Sequence, residues 1–217
     1  MIKTLTLCLL LFATSATTGA VAQTRPGLLP DTFKGARLGI TVEGWRSLAP
    51  PPGIGPDSLP VCSNELRTEK WAGLRLSATE AASGVVACTY ASRFGHTVLP
   101  HSVTLDTGET VSDLAFLFSR DRLTEIRFEV PVAAYDTVSS RLTSDYGRPR
   151  RQFGRAPVGS AGAAPRIRET WRAPQGWVML TNPSEDPTQA SVRYLSRTAP
   201  GLADELSWNP ADPRPDH

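Results

Sequence analysis

The sequence predicts an α+β domain: an antiparallel sheet with one main helix and one short helix packed on it. Two observations predict this class. From Gly84 onwards, short runs of branched and aromatic residues alternate with turn signals, which is typical of strands joined by hairpins. One longer segment, residues 131–146, instead has apolar residues three and four positions apart, which is typical of an amphipathic helix.

The short helix is predicted over residues 42–48, near the start of the fold. Thr41 is a suitable N-cap, and Trp45 and Leu48 lie three residues apart, on one helical face. The following stretch, 50–60, holds five prolines and two glycines, so we expect a surface loop there.

The predicted strands share an alternating pattern and end at turn residues. They are residues 85–91, 98–105, 110–118, 123–130, 166–172, 177–181 and 190–196. In the fourth, Ile126 and Phe128 alternate with Glu125, Arg127 and Glu129. This pattern predicts one buried face and one solvated face.

The main helix is predicted to begin at Pro131 and end at Tyr146. Its apolar stripe comprises Tyr135, Val138, Leu142 and Tyr146. Gly147 is suited to a C-cap, and Pro149 cannot continue a helix. Residues 148–165 are rich in Arg, Gly, Ala and Pro without an apolar period, so we expect a flexible loop there.

The chain begins with the pattern of a secretory signal peptide, residues 1–22. Lys3 precedes an apolar run at 5–13, and Ala20-Val21-Ala22 is a small-x-small cleavage site. We expect a flexible lead-in at 23–32, a single domain at 33–198, and a disordered tail at 199–217 with a brief helical turn near 202–206. No stretch after residue 22 is long and apolar enough to span a membrane. A periplasmic or secreted location is therefore predicted.

Removal of the signal would leave two cysteines, Cys62 and Cys88. In an oxidising compartment we expect them to form a disulfide. On the chain-entropy view, closing that loop stabilises the fold by about 3 to 4 kcal/mol. The alternative, a redox or metal-binding pair, usually has the spacing Cys-x-x-Cys, whereas 25 residues intervene here.

Charge is nearly balanced overall but not locally. The formal net charge is +2, which argues against a general role in binding nucleic acid. Residues 141–172, however, include eight arginines and only two acidic residues, Asp145 and Glu169. The candidate contact residues for an envelope protein, an anionic glycan or a lipid head group are Arg148, Arg150, Arg151, Arg155, Arg166, Arg168 and Arg172. The alternative is that these arginines only keep a loop soluble.

Catalytic patterns are weak. His96 and His101 lack the spacing of a metal site, and the sequence contains no nucleophile elbow and no phosphate-binding loop. We therefore predict no catalytic residues, no metal and no cofactor. Two alternatives stay open: a periplasmic hydrolase that uses His96 or His101, and a small-ligand carrier with a cavity between helix and sheet.

Two short motifs resemble a kind of small bacterial envelope protein. They are Leu38-Gly39-Ile40-Thr41 at a helix start and Asp121-Arg122-Leu123-Thr124-Glu125-Ile126 after a hairpin. The resemblance is to the small lipoprotein of the outer-membrane assembly machine and to β-lactamase inhibitor proteins, and it implies a helix packed on an antiparallel sheet. The run from Tyr135-Asp136 to Tyr146-Gly147 is similar to a helix ending common in uncharacterised periplasmic proteins. It does not extend to their functions, since no lipid-bearing cysteine follows the predicted signal.

Together these observations predict an exported, non-enzymatic interaction protein. We expect it to contact another protein or an anionic component of the cell envelope.

Overall fold

The computed structural model describes residues 32–33, 35–51, 54, 58–66, 70–71, 76–105, 107–157 and 163–207. The predicted signal peptide, nearly all of the lead-in and residues 208–217 lie outside these ranges. The strands are β1 (Thr32–Phe33), β2 (Ala36–Arg37), β3 (Leu59–Cys62), β4 (Lys70–Trp71), β5 (Val86–Phe94), β6 (Thr97–Pro100), β7 (Val103–Thr104), β8 (Thr110–Ser119), β9 (Arg122–Pro131), β10 (Arg150–Pro157), β11 (Ala163–Ala173), β12 (Gly176–Asn182) and β13 (Gln189–Ser196).

Four α-helices are found in the described part of the chain. They are α1 (Val42–Arg46), α2 (Ala78–Ala82), α3 (Tyr135–Tyr146) and α4 (Leu202–Leu206). Short 3-10 turns occur at Ser63–Glu65 and Val132–Ala134. None of these described helices is long and apolar enough to cross a bilayer.

The strands form an open sheet in the order β10-β11-β12-β13-β9-β8-β5-β6-β4, with β3 beside β5 and β7 beside β8. The pairs are antiparallel except β4 with β6. β1 and β2 form a separate small hairpin. The sheet-rich α+β class is as predicted, although β structure predominates more than the sequence indicated.

β9 and β13 are the central pair of the sheet. On one side, α1 precedes β3, β5, β8 and β9, and on the other, α3 precedes β10 to β13. Within each of these two sets of four strands, neighbours in the sheet follow the chain order towards the centre, and the first half also contains β4, β6, β7 and α2, which have no counterpart in the second. β9 and β13 then pair antiparallel, with Arg127 opposite Arg193. The molecule therefore contains the same helix-and-four-strand arrangement twice.

The largest hydrophobic cluster of the described residues joins these halves. The buried side chains of Trp45 from α1 and of Val138 and Leu142 from α3 belong to one cluster, together with Phe116 and Tyr194 of the sheet. Phe33, the first residue of the predicted domain, is fully buried in the same cluster.

Local sequence accounts for the two helices on this face. The Thr41 hydroxyl accepts a hydrogen bond from Gly44 N at 3.0 Å and so caps α1. α3 ends at Gly147, whose φ of +82° suits a residue without a Cβ.

The opposite face of the sheet differs from the prediction. Glu125, Arg127 and Glu129 were expected to be solvated, but Glu125 is only 3% exposed and its two neighbours are half-buried. The physical reason is that α2 and α4 lie over this face. Arg127 donates to Glu80 of α2 at 3.2 Å, and α4 approaches the sheet beside Glu125.

Further elements were missed or placed differently. The predicted strand at 98–105 is two strands, β6 and β7. The predicted loop at 148–165 is wrong, because β10 and an extended β11 form a hairpin there. The expectation of disorder from 199 is wrong up to residue 207, since Leu202 of α4 is buried against Met179 and Leu195, although the helical turn itself was predicted.

The predicted disulfide is confirmed. Cys62 and Cys88 face each other across β3 and β5 and are joined by an S–S bond of 2.00 Å. Both are fully buried and belong to the same cluster as Trp45 of α1.

Candidate interaction surface

The arginines singled out in the sequence collect around one border of the sheet. β10 is the last strand in the sheet order and pairs along its eight residues with β11. We define the basic edge as β10 together with Arg148, Arg166 and Arg172. Within it, Arg148, Arg150, Arg151, Arg155 and Arg172 are exposed.

An exposed aromatic ring lies in the middle of this strand. Phe153 is 64% exposed, and its partner across the hairpin is Ile167. Because side chains alternate along a strand, Arg151, Phe153 and Arg155 project to one side of the sheet, and Arg150 projects to the other. The first side is the one that carries α3, since Arg151 reaches a carboxylate beneath that helix.

That carboxylate is Glu169, which is fully buried in β11. Arg151 Nε donates to Glu169 Oε1 at 2.6 Å, and Ser139 Oγ of α3 donates to Oε2 at 2.5 Å. Burial, and then the nearby charge and hydrogen bond of Glu169, raise the pKa of Tyr135 well above its ordinary range. The hydrogen bond from Nε to Glu169 orients the Arg151 side chain, which is still 59% exposed.

Two of the seven predicted arginines have structural roles instead. Arg168 is buried on the α4 side of the sheet and pairs with Glu205 at 3.1 Å, and burial lowers its pKa. Arg166 is half-buried and donates Nη2 to the carbonyl of Ser184 at 3.1 Å. The accessible charge of the basic edge thus comes from its other five arginines.

The two histidines are not brought together. His96 is exposed in the turn between β5 and β6, and His101 follows the far end of β6. At about 3.3 Å per strand residue, they are separated by about 16 Å. His101 Nε2 instead lies 2.9 Å from Ser92 Oγ, a contact the sequence did not indicate.

A Ser–His contact is one part of a hydrolytic site, which also needs a group to orient the histidine and donors for an oxyanion. Among the described residues, the hydrogen bonds of the His101 ring go to Ser92, and no carboxylate is paired with it. Within the same ranges, no group of three or more His, Cys, Asp or Glu side chains is placed to hold a metal ion.

A hollow lies between α3 and the sheet, where a carrier would hold its ligand. It is lined by Leu105, Thr107, Phe128, Val138, Arg141, Val192 and Tyr194. The space inside it is about 10 Å³, which is room for one water molecule. Its wall is almost entirely apolar, and Thr107 Oγ1 and Tyr194 OH are buried without a hydrogen-bond partner among the described residues.

Comparisons with known family models, curated proteins and solved structures returned no match. The resemblance to small envelope proteins therefore stays a prediction.

Proposed function

We propose that this chain is an exported, non-enzymatic interaction protein that binds an acidic protein partner through the basic edge. The observation that carries the proposal is the exposed Phe153 between exposed Arg151 and Arg155 on the last strand of the sheet. An aromatic ring flanked by guanidinium groups matches the composition of protein–protein contact centres, where aromatic residues and arginine are enriched.

A protein partner suits this border better than a glycan or a lipid head group. In the part of the chain that the structure describes, no strand pairs with the outer side of β10, so its backbone donors and acceptors can pair with a protein segment. Arg150 and Arg172 lie on the opposite side of the sheet from Arg151 and Arg155, so the charge follows the border on both sides. A partner that lies along the border can meet both sets.

The export pattern at residues 1–22 and the Cys62–Cys88 disulfide support a periplasmic or secreted location for this interaction.

Site-specific photo-crosslinking tests the proposal. A photoreactive phenylalanine analogue replaces Phe153 in the cells that produce the protein, and the matched control carries it at Phe94. Both rings are 64% exposed, but Phe94 lies on β5, outside the basic edge. We expect a discrete protein adduct from position 153 that is lost with Arg150→Glu/Arg155→Glu.

The same adducts from both positions, or an adduct that survives charge reversal, would contradict the proposal. So would the absence of an adduct combined with sedimentation of the protein with phosphatidylglycerol vesicles but not with phosphatidylcholine vesicles, since that result indicates a lipid surface.

A further inference from the structure

We infer that the partner contributes an extended acidic segment that adds to the sheet beside β10 as an extra strand, with the pattern acid-x-apolar-x-acid. This inference rests on the proposed function and specifies the chemistry recognised at the basic edge.

β10 lies at the border of the sheet. Among the described strands it pairs with β11 alone, through one of its two rows of backbone groups, so no described strand lies beside the other row. β10 has eight residues, which is about 26 Å of strand and enough for a five-residue motif with flanking pairs. Neither of its described neighbours in sequence, α3 and β11, covers the outer row, since α3 packs on the face of the sheet.

Pairing with a second copy of this chain centred on Phe153 is unfavourable. Antiparallel pairing of two β10 strands about Phe153 would set Arg151 of one copy opposite Arg155 of the other. Parallel pairing in the same register would set each arginine opposite itself. Like charges directly across a strand pair are destabilising, so these two registers disfavour a second copy, and a segment of opposite charge suits the exposed arginines better.

The spacing of the side chains on β10 sets the pattern of the occupant. Arg151, Phe153 and Arg155 lie two residues apart on one face, and side chains of an added strand also recur every two residues. Carboxylates two positions either side of an apolar residue would therefore meet the arginines while the apolar residue meets Phe153. The motif reads the same in both directions, so it fits a parallel or an antiparallel segment.

The arginines are suited to carboxylates. Arg151 is held through Nε by Glu169, which leaves its terminal nitrogens available at a side chain that is 59% exposed. Guanidinium groups bind carboxylates through two parallel hydrogen bonds, and a guanidinium that is already oriented loses less side-chain entropy on binding.

Binding of two synthetic peptides tests the inference. The probe is the acetylated, amidated peptide Thr-Val-Glu-Thr-Leu-Thr-Glu-Val-Thr, in which both glutamates share a face with leucine. The control, Thr-Val-Thr-Glu-Leu-Glu-Thr-Val-Thr, has the same composition with the glutamates on the opposite face from leucine. By isothermal titration calorimetry we expect the control to bind about tenfold or more weakly than the probe.

Protein variants test the residues. Arg155→Glu should weaken probe binding about tenfold or more, and Phe153→Thr should weaken it several-fold. Arg120→Glu is the matched control, since Arg120 is an exposed arginine in the turn between β8 and β9. This variant should bind the probe with the affinity of the wild type. Urea unfolding of each variant shows whether it is folded as the wild type is.

Amide hydrogen exchange tests strand addition itself. Alternate amides within residues 150–155, those on the outer row, should exchange about tenfold or more slowly when the probe is bound. Equal binding of the two peptides, no effect of Arg155→Glu, unchanged exchange in β10, or no binding at about 1 mM probe would each overturn the inference. If the charge-dependent crosslink from position 153 persists in any of those cases, the proposed function stands and strand addition alone is wrong.

Discussion

Arg193 lies near the centre of the sheet and contacts two carboxylates from different elements. Its Nε donates to Glu125 at 2.8 Å, and its Nη1 donates to Glu205 of α4 at 2.5 Å. Burial alone would lower the pKa of Arg193, but the two carboxylates outweigh that effect and raise it, so the side chain stays charged. Buried charges persist only when they are paired in this way.

Glu205 shows the complementary effect. Burial raises the pKa of its carboxyl, but Arg193 and then Arg168 outweigh burial, and the net pKa is lowered from the ordinary value of 4.5. Because the folded-state pKa lies below the unfolded one, the stability from this carboxylate is present above about pH 4.5 and is lost as the pH falls through the folded-state pKa.

Glu205→Gln should therefore lower the free energy of unfolding by about 1 to 2 kcal/mol at pH 7. The gap to the wild type should shrink at about pH 3. Urea unfolding of both proteins at the two pH values measures this difference in the free energy of unfolding. Asp204→Asn, an exposed position on the same helix, should change stability by less than about 0.5 kcal/mol. The same difference in stability between wild type and Glu205→Gln at both pH values would contradict the predicted link to the ionisation of Glu205.

At the scale of elements, the helices follow local signals. α3 forms where its apolar stripe was predicted, and the Thr41 cap begins α1. The missed helix α2 also had a signal, since Ser77 and Glu80 form a capping box: Glu80 N donates to Ser77 Oγ at 3.2 Å, and Ser77 N donates to Glu80 Oε2 at 2.7 Å. The spacing Ser-x-x-Glu is readable in the sequence.

The packing of α3 can be tested with two adjacent substitutions. Leu142 is fully buried against the sheet, whereas Thr143 is exposed. Leu142→Ala should lower the free energy of unfolding by about 2 to 5 kcal/mol, because it removes buried apolar contacts and leaves a cavity. Thr143→Ala should stay within about 0.5 kcal/mol of the wild type. Similar losses from the two variants would show that α3 does not pack as described.

β10 was missed for a physical reason. An edge strand of this kind buries little on either side, so its sequence lacks the apolar alternation by which strands are recognised. Arg-x-Phe-x-Arg at 151–155 does alternate with period two, but the pattern is equally compatible with a charged loop. Only pairing with β11 decides between them.

At the scale of the whole molecule, the two helix-and-four-strand halves share one core. Trp45 of the first half and Trp171 of the second lie in the same buried cluster. If one half unfolded alone, the apolar side chains of the other half in this cluster would be exposed to water, which is unfavourable. We therefore expect the fold to unfold in a single transition.

The disulfide should stabilise that whole unit, although it lies in one half. Cys62→Ala/Cys88→Ala should lower the free energy of unfolding by about 3 to 4 kcal/mol, because a loop with a sequence separation of 26 is no longer closed in the unfolded chain. Tryptophan fluorescence and far-ultraviolet circular dichroism should report the same midpoint. Two separated midpoints would indicate that the halves unfold independently.

The sequence by itself determined the features that depend on neighbours along the chain. These are α1, α3, the alternating strands and the cysteine pair, because helix caps, apolar periods and turn residues act over a few positions. It also indicated the arginine-rich segment, but not which of its side chains are accessible.

Only the tertiary structure decided which surfaces are covered. Glu125 looked solvated because the residue that pairs with it, Arg193, is 68 positions away. The same holds for the burial of Arg168 under α4, for the contact of Ser92 with His101 and for the position of β10 at the border of the sheet. Alternation along a strand shows which side chains lie on the same face of the sheet. It does not show whether the second face is covered, because the helix that covers it comes from a distant part of the chain.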